Sequence, residues 1–248
     1  MNIFYINNIY MFIIIIQARL GSTRLPCKVI KKLLDKEIFK WSYDRCCKSK
    51  ADKVYIATSI NQENNLLEDL FKKYNIDYYR GSENDLLDRY YKLCKHFSLD
   101  KNKNLNIIRV TSDCPFVDYS IINDMILFFN CNNYDYIINH NDEGITPEGS
   151  GIEIFNFKTL EYLWNNEKDI NFREHATGML RKTYIYNNII KKGVYNYKPL
   201  NINLEKMKFI KISIDTIEDY NTSLQIAEYF NNYDFSYYDI LKYLENRI

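Results

Sequence analysis

Residues 12–28 read FIIIIQARLGSTRLPCK, and their pattern gives the strongest indication of the fold in this chain. Its first part, Phe12–Ile16, is a continuous apolar run rich in β-branched residues, which is typical of a strand buried on both faces. The polar segment Gln17–Lys28 follows at once and contains Gly21 and Pro26, so the chain leaves the strand in a loop. The stretch predicts a parallel sheet with its ligand site at the carboxyl end of this strand.

Apolar runs and amphipathic stretches alternate along the next 120 residues. This alternation predicts an α/β fold with a mainly parallel central sheet flanked by helices. The predicted strands are Lys53–Ala57, Asp77–Tyr79, Leu105–Val110 and Tyr134–Ile138, and the predicted helices are Glu37–Cys47, Gln62–Tyr74, Asp85–Phe97 and Asp118–Phe129.

The second half of the chain has a less regular pattern. It predicts strands at Gly151–Phe155 and Phe209–Ile214, and helices at Lys158–Asn165, Phe172–Lys182 and Ile217–Phe230. No internal repeat and no linker composition divides the chain, so we expect one domain, residues 11–248, with a smaller inserted substrate lobe. Residues 1–10 are expected to be a non-functional extension, because Met11 directly precedes the first apolar run.

Composition narrows the functional classes. The 248 residues are 46% hydrophobic and 26% charged with a formal net charge of +1, which is typical of a soluble globular protein. So balanced a charge makes a general nucleic-acid coat or a polybasic membrane binder a poor candidate. None of the six cysteines forms a CxxC pair, which favours reduced thiols. We therefore expect a cytoplasmic protein without nucleic-acid binding or membrane insertion.

The loop after the first strand carries the chemistry of an anion site. Arg19, Arg24 and Lys28 supply charge for a polyphosphate, while Gly21 lets the backbone approach closely and Ser22 offers donors. The loop fits neither the Walker A pattern nor GxGxxG. Judged by its charge alone, the segment could equally be a solvated basic loop without a ligand. Its position after a buried strand favours phosphate binding.

Two aspartates follow predicted strands elsewhere. Asp113 comes just after the strand ending at Val110, and Asp118 is the better candidate for the cap of the next helix. Asp215 also follows an apolar strand, and taken alone it is better explained as a cap in a capping box with Glu218. Taken together, two strand-end carboxylates opposite a basic loop predict a Mg²⁺-dependent nucleotidyl-transfer site.

Five segments together resemble a known family. They are IIQARLGSTRLPCKVI, RGSENDLLDRYY, RVTSDCPFVD, REHATGMLRK and ISIDTIEDY, in that order along the chain. The set resembles the spore-coat-polysaccharide type of cytidylyltransferase, which is similar in fold to 3-deoxy-manno-octulosonate and acylneuraminate cytidylyltransferases. The resemblance extends from Phe12 to about Tyr229. It implies a Rossmann-like nucleotide-diphospho-sugar transferase fold, CTP as the donor and pyrophosphate as the leaving group.

The resemblance also implies roles for individual positions. It implies that the triphosphate binds at Arg19, Ser22, Arg24 and Lys28, and that the base and ribose bind at Thr58, Arg80, Gly81 and Ser82. It implies that Mg²⁺ binds at Asp113 and Asp215. The sugar is expected at Glu153, Arg173, Glu174 and His175. Ala18, Gly21 and Thr111 complete the expected nucleotide contacts, and Arg19, Arg24, Lys28 and Asp113 are the expected catalytic groups. Glu153 could equally be an ordinary strand residue that faces outward. His175 could equally be an ordinary polar residue of a helix.

Two positions depart from the family pattern. The chain has Cys27 where the family usually has glycine, and Gly151 where the family usually has aspartate in a G-x-D-x-E pattern ending at Glu153. The second departure weakens any transfer of sugar specificity. If the missing carboxylate holds a substrate hydroxyl or amine, this protein takes a different acceptor or is impaired.

We therefore expect an enzyme that transfers CMP from CTP to an acidic or phosphorylated sugar for surface polysaccharide or glycoconjugate synthesis. Two alternatives stay open at this point. One is a uridylyl- or guanylyltransferase that acts on a sugar phosphate, and the other is a non-catalytic nucleotide-binding partner of a polysaccharide assembly enzyme. The aromatic tail from Tyr229 to Tyr243 is either a contact patch, as in a homodimer, or core, and base rates favour core.

Overall fold

A mixed seven-stranded sheet forms the centre of the computed structural model, which describes residues 10–139, 147–182, 188–197, 203, 210–245 and 247. Nearly all of the extension expected at residues 1–10 lies outside the described residues. The strands are β1 Met11–Gln17, β2 Lys32–Leu33, β3 Lys36–Glu37, β4 Lys53–Ser59, β5 Tyr78–Gly81, β6 Leu105–Thr111, β7 Tyr136–Ile138, β8 Glu153–Asn156 and β9 Lys192–Val194. In the sheet their order is β5-β4-β1-β6-β8-β7-β9, and β2 and β3 form a separate small hairpin.

The pairing confirms the mainly parallel sheet predicted from the sequence. The strands β5, β4, β1 and β6 pair in parallel, and β7 pairs in parallel with β9. In this sheet β8 pairs antiparallel with its neighbours β6 and β7. The parallel pairs direct the carboxyl ends of β1, β4 and β6 to the same edge of the sheet, where a ligand site is expected.

Helices cover both faces of this sheet. They are α1 Ile38–Cys47, α2 Asn65–Lys73, α3 Leu86–His96, α4 Tyr119–Asn132, α5 Phe157–Asn166, α6 Ile170–Arg173, α7 Gly178–Lys182, α8 Ile217–Phe230 and α9 Tyr237–Glu245. Along β1, Ile14 and Ile16 belong to the hydrophobic core on one face, and Ile13 and Ile15 belong to the core on the other. All four are fully buried, which explains the uninterrupted apolar run.

Two predicted elements are wrong in the second half. The helix predicted at Phe172–Lys182 is two short helices, α6 and α7, with a turn between them. Thr177 and Gly178 favour helix weakly, and a Cβ on Gly178 would lie 2.9 Å from His175 Cβ. The tight turn therefore interrupts the helical pattern.

The strand predicted at Phe209–Ile214 is an extended segment without a ladder. Phe209 lies outside the described residues, and Lys211 makes a single parallel bridge with Glu148. Ile210, Ile212 and Ile214 are buried in the core with the alternation of a strand. Packing therefore accounts for the apolar alternation that predicted a strand.

The aromatic tail is largely core, as the sequence favours. Tyr237 is buried, and Phe235 packs on Trp41 and Phe230. Tyr229 is the exposed exception. Within the described part of the chain, no helix is long and apolar enough to cross a membrane.

Candidate active site

A cavity of about 390 Å³ opens beyond the carboxyl ends of β1 and β6. The loop after β1 forms one wall, and the segment from Thr111 to Asp113 forms the floor. Among the residues expected at the site, the structure places these on the cavity wall: Ala18, Arg19, Gly21, Ser22, Arg24, Lys28, Thr111, Asp113, Glu174, His175 and Asp215.

The loop after β1 is held against the turn that follows β4. The Leu20 N–H donates to Asn64 Oδ1 at 2.9 Å, and Asn64 is fully buried. Gly21 passes so close to Glu63 that a Cβ there would lie 2.8 Å from Glu63 Oε1. Sequence reasoning missed Asn64, because its role depends on packing between two loops 44 residues apart.

Cys27 has a left-handed backbone, with φ of 56° and ψ of 25°. It directly precedes the short 3-10 turn Lys28–Ile30, which begins with the buried Lys28. A side chain with a Cβ pays about 1–2 kcal/mol for this conformation, and glycine does not. The local geometry thus explains why the family pattern has glycine here, and it shows that cysteine is accommodated with an exposed side chain.

Lys28 joins the two aspartates that the sequence singled out. Its Nζ donates to Asp113 Oδ2 at 2.7 Å, to Asp215 Oδ1 at 2.9 Å and to the carbonyl of Ile214 at 2.7 Å. Burial opposes the ammonium charge, but the attraction and hydrogen bonds of Asp113 and Asp215 outweigh it and raise the pKa of Lys28. The side chain is therefore a protonated cation between two carboxylates.

Asp215 has two further cationic neighbours. Arg24 Nη2 lies 2.8 Å from Asp215 Oδ1, and Lys211 Nζ lies 3.2 Å from Oδ2. Burial alone would raise the pKa of this carboxyl, but Lys28 and Lys211 hold it below its ordinary value. The helix cap expected from Asp215 and Glu218 is wrong by one residue, because Thr216 and Asp219 form the capping box of α8. Asp215 is thus available to the site.

The two aspartates fit a divalent cation. Oxygens of Asp113 and Asp215 both lie within 3 Å of one ammonium nitrogen, so the carboxylates converge on a single point. Mg²⁺ is usually held by one or two carboxylates, with substrate phosphates and water completing its shell. The described residues contain no cluster of three or more histidine, cysteine, aspartate or glutamate side chains that could hold a metal ion.

The start of α3 forms the opposite wall and contains residues that sequence reasoning missed. Glu83 accepts a hydrogen bond from Arg19 Nη1 at 2.8 Å. Arg89 lines the cavity while its Nε donates to the carbonyl of Ser82 at 2.7 Å. Both lie within the RGSENDLLDR segment already singled out, and their position on either side of the α3 N-cap, Asp85, is the signal that could have identified them.

The residues expected around the base and ribose do not line the cavity. Thr58 is fully buried. Arg80 donates to the carbonyls of Ser59 and Asn61 at 3.1 and 3.0 Å and pairs with Glu68. Its guanidinium thus fastens β5 to the turn after β4.

Gly81 and Ser82 also stand behind the cavity wall. Gly81 lies against Arg89, since a Cβ on Gly81 would meet Arg89 Cγ at 2.9 Å. The Ser82 hydroxyl accepts from the Asp85 N–H at 3.1 Å, and its carbonyl accepts from Arg89. These contacts support the start of α3, so the two residues shape the wall from behind.

Two of the four residues expected at the sugar side are engaged elsewhere. Glu153 is 2% exposed and accepts from Arg109 Nη1 at 2.7 Å and from the Tyr136 hydroxyl at 2.9 Å. The outward-facing alternative for Glu153 is therefore wrong. Arg173 Nε donates to Asp85 at 2.7 Å, which joins α6 to the N-terminus of α3. Neither side chain lines the cavity, whereas Glu174 and His175 do.

Comparison with known proteins identifies the family. The family model for cytidylyltransferases matches residues 13–240. An uncharacterised protein of Methanocaldococcus jannaschii is 34% identical over 232 residues, which cover 93% of this chain and 89% of that protein. The spore coat polysaccharide biosynthesis protein SpsF of Bacillus subtilis is 32% identical over 84% of this chain and 82% of its own length.

A solved structure gives the same answer. A cytidylyltransferase from Leptospira borgpetersenii serovar Hardjo-bovis superposes with a TM-score of 0.84 at 29% identity, covering 96% of this chain and 95% of that chain. The family model, the relatives and the superposition all span nearly the whole described fold, including the cavity. The chain therefore belongs to the cytidylyltransferase family and is a nucleotidyltransferase.

Proposed function

We propose that the protein transfers CMP from CTP to an acidic or phosphorylated sugar and releases pyrophosphate. One observation carries the proposal: Arg19, Arg24 and Lys28 line the same cavity as Asp113 and Asp215. Cationic side chains on one wall and converging carboxylates on another suit a triphosphate that carries a divalent cation.

The reaction is an in-line displacement. A sugar oxygen attacks the α-phosphorus of CTP, a new P–O bond forms, and the bond to the β-phosphate oxygen breaks so that pyrophosphate leaves. Mg²⁺ bound by Asp113 and Asp215 would supply neutralisation of phosphate charge. Arg19 and Arg24 are placed to bind the leaving phosphates, and the hydrogen bond from Arg19 to Glu83 fixes its orientation.

The walls of the cavity separate the donor and acceptor sides. The loop after β1 offers the cations, and Glu174 and His175 lie on the segment that follows α6. We assign the acceptor to this second wall. Arg173 acts there as a positioning residue, because its bonds to Asp85 and to the carbonyl of Glu167, at 2.9 Å, fix α6 beside α3.

The product fits synthesis of a surface polysaccharide or glycoconjugate. Support comes from the similarity to a spore coat polysaccharide biosynthesis protein over 84% of this chain. Gly151, where the family pattern has an acidic residue, is exposed, and apart from its chain neighbours no atom of the described residues lies within 4 Å of a Cβ built there. Because the chain has no carboxylate at this position, we expect an acceptor that does not need one there. A cytoplasmic location and a homodimer stay predictions.

A pyrophosphate-release assay with Mg²⁺, each of the four nucleoside triphosphates and a panel of acidic and phosphorylated sugars tests the proposal. Release with CTP alone supports it, whereas release with UTP or GTP supports the alternative nucleotide. Stabilisation by CTP without release across the panel supports a binding protein without turnover, since a ligand at 100 times its Kd stabilises by about 2.7 kcal/mol.

Arg24→Ala tests the role of the basic loop. The side chain is 64% exposed, so its loss removes charge from the cavity at little cost to folding. We expect turnover with CTP to fall about 100-fold or more, as for loss of other groups that stabilise developing charge. Lys72→Ala is the matched control, because Lys72 is 60% exposed, pairs with Glu68 and is absent from the cavity wall. Equal activity of the two variants would contradict the assignment.

A further inference from the structure

Lys28 uses all of its donors within the protein. An ammonium has three N–H groups and no acceptor. Its three partners are Asp113 Oδ2, Asp215 Oδ1 and the carbonyl of Ile214, all at 2.7–2.9 Å. Lys28 therefore cannot donate to a phosphate unless it leaves at least one of these partners.

The ammonium also stands where the two carboxylates converge. Lys28 Nζ lies 2.7 Å from an Asp113 oxygen and 2.9 Å from an Asp215 oxygen, so a divalent cation held by both carboxylates at this point would take the place of the ammonium. Arg24 contacts Asp215 Oδ1 together with Lys28, but an ammonium and a divalent cation cannot both occupy the one point between the two carboxylates, because they would overlap and repel each other strongly in a partly buried site. Lysine and metal are thus alternatives at this point.

We propose that Lys28 is a resident cation that holds Asp113 and Asp215 together until a divalent cation replaces it and the ammonium moves to the triphosphate. The proposal rests on the proposed function, because the nucleotide supplies the new partner of the ammonium. Metal alone must compete with Lys28 without that compensation. The metal therefore binds weakly by itself and tightly together with CTP.

The surroundings of the two aspartates suit such an exchange. Besides Lys28, Asp215 has Arg24 at 2.8 Å and Lys211 at 3.2 Å as cationic neighbours. Asp113 has no other cationic partner among the described residues. The departure of Lys28 thus creates one strongly uncompensated carboxylate, which a metal ion neutralises.

Manganese binding without nucleotide tests the exchange. Free Mn²⁺ is measured by electron paramagnetic resonance during titration of the wild type and of Lys28→Met. We expect Lys28→Met to bind Mn²⁺ about tenfold or more tightly, because a charge-assisted competitor is gone. Lys211→Met is the matched control: it removes a cation from the same Asp215 but leaves the ammonium of Lys28 between the carboxylates.

Two results would overturn the proposal. One is an unchanged Mn²⁺ affinity in folded Lys28→Met. The other is an equal gain in Mn²⁺ affinity in Lys211→Met, because the gain would then come from the loss of any nearby positive charge and not from the position of Lys28. If Lys28→Met does not fold, chemical labelling of the lysine amines in the wild type tests the exchange instead. Modification of Lys28 by an acylating reagent, followed by mass spectrometry, is expected to rise at saturating Mg²⁺ and fall when CTP is added; no rise with Mg²⁺ would refute the exchange.

These readouts separate the inference from the proposed function. If Lys28→Met binds Mn²⁺ more tightly but the wild type does not turn over CTP, the exchange at the cation site is supported and the proposed reaction is contradicted. Turnover of CTP by the wild type with no change in Mn²⁺ affinity keeps the reaction and rejects the exchange.

Discussion

The buried pair of Arg109 and Glu153 makes Glu153→Gln the most informative single change. The variant keeps the shape of the side chain and removes its charge. Both side chains are buried, with 2% of Glu153 and 8% of Arg109 exposed. The Arg109 Nε finds no other hydrogen-bond partner within the described residues. The charge of Arg109 therefore loses its counter-ion without access to water.

Removing one partner of a buried pair costs about 3–5 kcal/mol. Glutamine still accepts a hydrogen bond from Arg109, so the lower end, about 3 kcal/mol, is expected. Arg181 lies 3.7 Å from Glu153 and is 35% exposed, so its contribution is small. A loss of 1 kcal/mol lowers the Tm by about 2–4 °C in a chain of this size, so the expected drop is about 6–12 °C.

The pH dependence has a defined sign. Burial opposes the negative charge of Glu153, but Arg109 and Arg181 hold its pKa below the ordinary value of 4.5. The carboxylate therefore contributes stability that is fully present above pH 4.5 and is lost as pH falls through the lowered pKa. The difference in unfolding free energy between the wild type and Glu153→Gln is expected to shrink only in that acidic range.

Urea denaturation at pH 7 measures the effect. Glu228→Gln, on the exposed face of α8, is the control and is expected to stay within about 0.5 kcal/mol of the wild type. Because replacing both members of a buried pair is often neutral, Arg109→Met combined with Glu153→Gln is expected to be more stable than Glu153→Gln alone. This account of the pair would be refuted if Glu153→Gln lowered the free energy of unfolding by less than about 1 kcal/mol. It would also be refuted if the double variant were less stable than Glu153→Gln alone.

Three further changes test the backbone around the cavity by thermal unfolding. Gly81→Ala is expected to cost about 1–3 kcal/mol, because its Cβ would lie 2.9 Å from Arg89 Cγ; an unchanged Tm would contradict that close packing. Cys27→Gly is expected to gain about 0.5 kcal/mol, since relief of the left-handed strain exceeds the added entropy of the unfolded chain, and a loss of stability would count against strain at φ 56°. Gly151→Asp is expected to change stability by less than about 0.5 kcal/mol, because the space around its Cβ is open; a large loss would show that the site is closed to a side chain.

Local patterns predicted most of the first half of the fold. Helix α3 was predicted within one residue at each end, because Asp85 caps it and its apolar residues repeat with helical spacing. Asp118 also caps α4 as expected, accepting from the Ser120 N–H at 2.7 Å. Where the pattern failed, as between α6 and α7, a tight turn at Gly178 interrupted an otherwise helical run.

Site residues were predictable when they followed a strand. Asp113 follows β6 and lines the cavity with Arg24, since the carboxyl ends of parallel strands share one edge. Arg80 also comes directly after a strand predicted from the sequence, Asp77–Tyr79. Its guanidinium, however, is bound to backbone carbonyls away from the cavity. Position along the chain indicates the edge of the sheet, but the direction of a long side chain depends on which acceptors lie nearby.

The sheet, its buried central strand and the basic loop at its carboxyl end could be predicted from the amino-acid sequence, because apolar periodicity and strand ends are local properties. The pairing of opposite charges, in contrast, could not be predicted without the three-dimensional structure. Lys28 lies 85 residues from Asp113 and 187 from Asp215, and Arg109 lies 44 from Glu153. Such pairs form only after the strands have aligned, since burial and distance, and not spacing along the chain, determine which opposite charges come into contact.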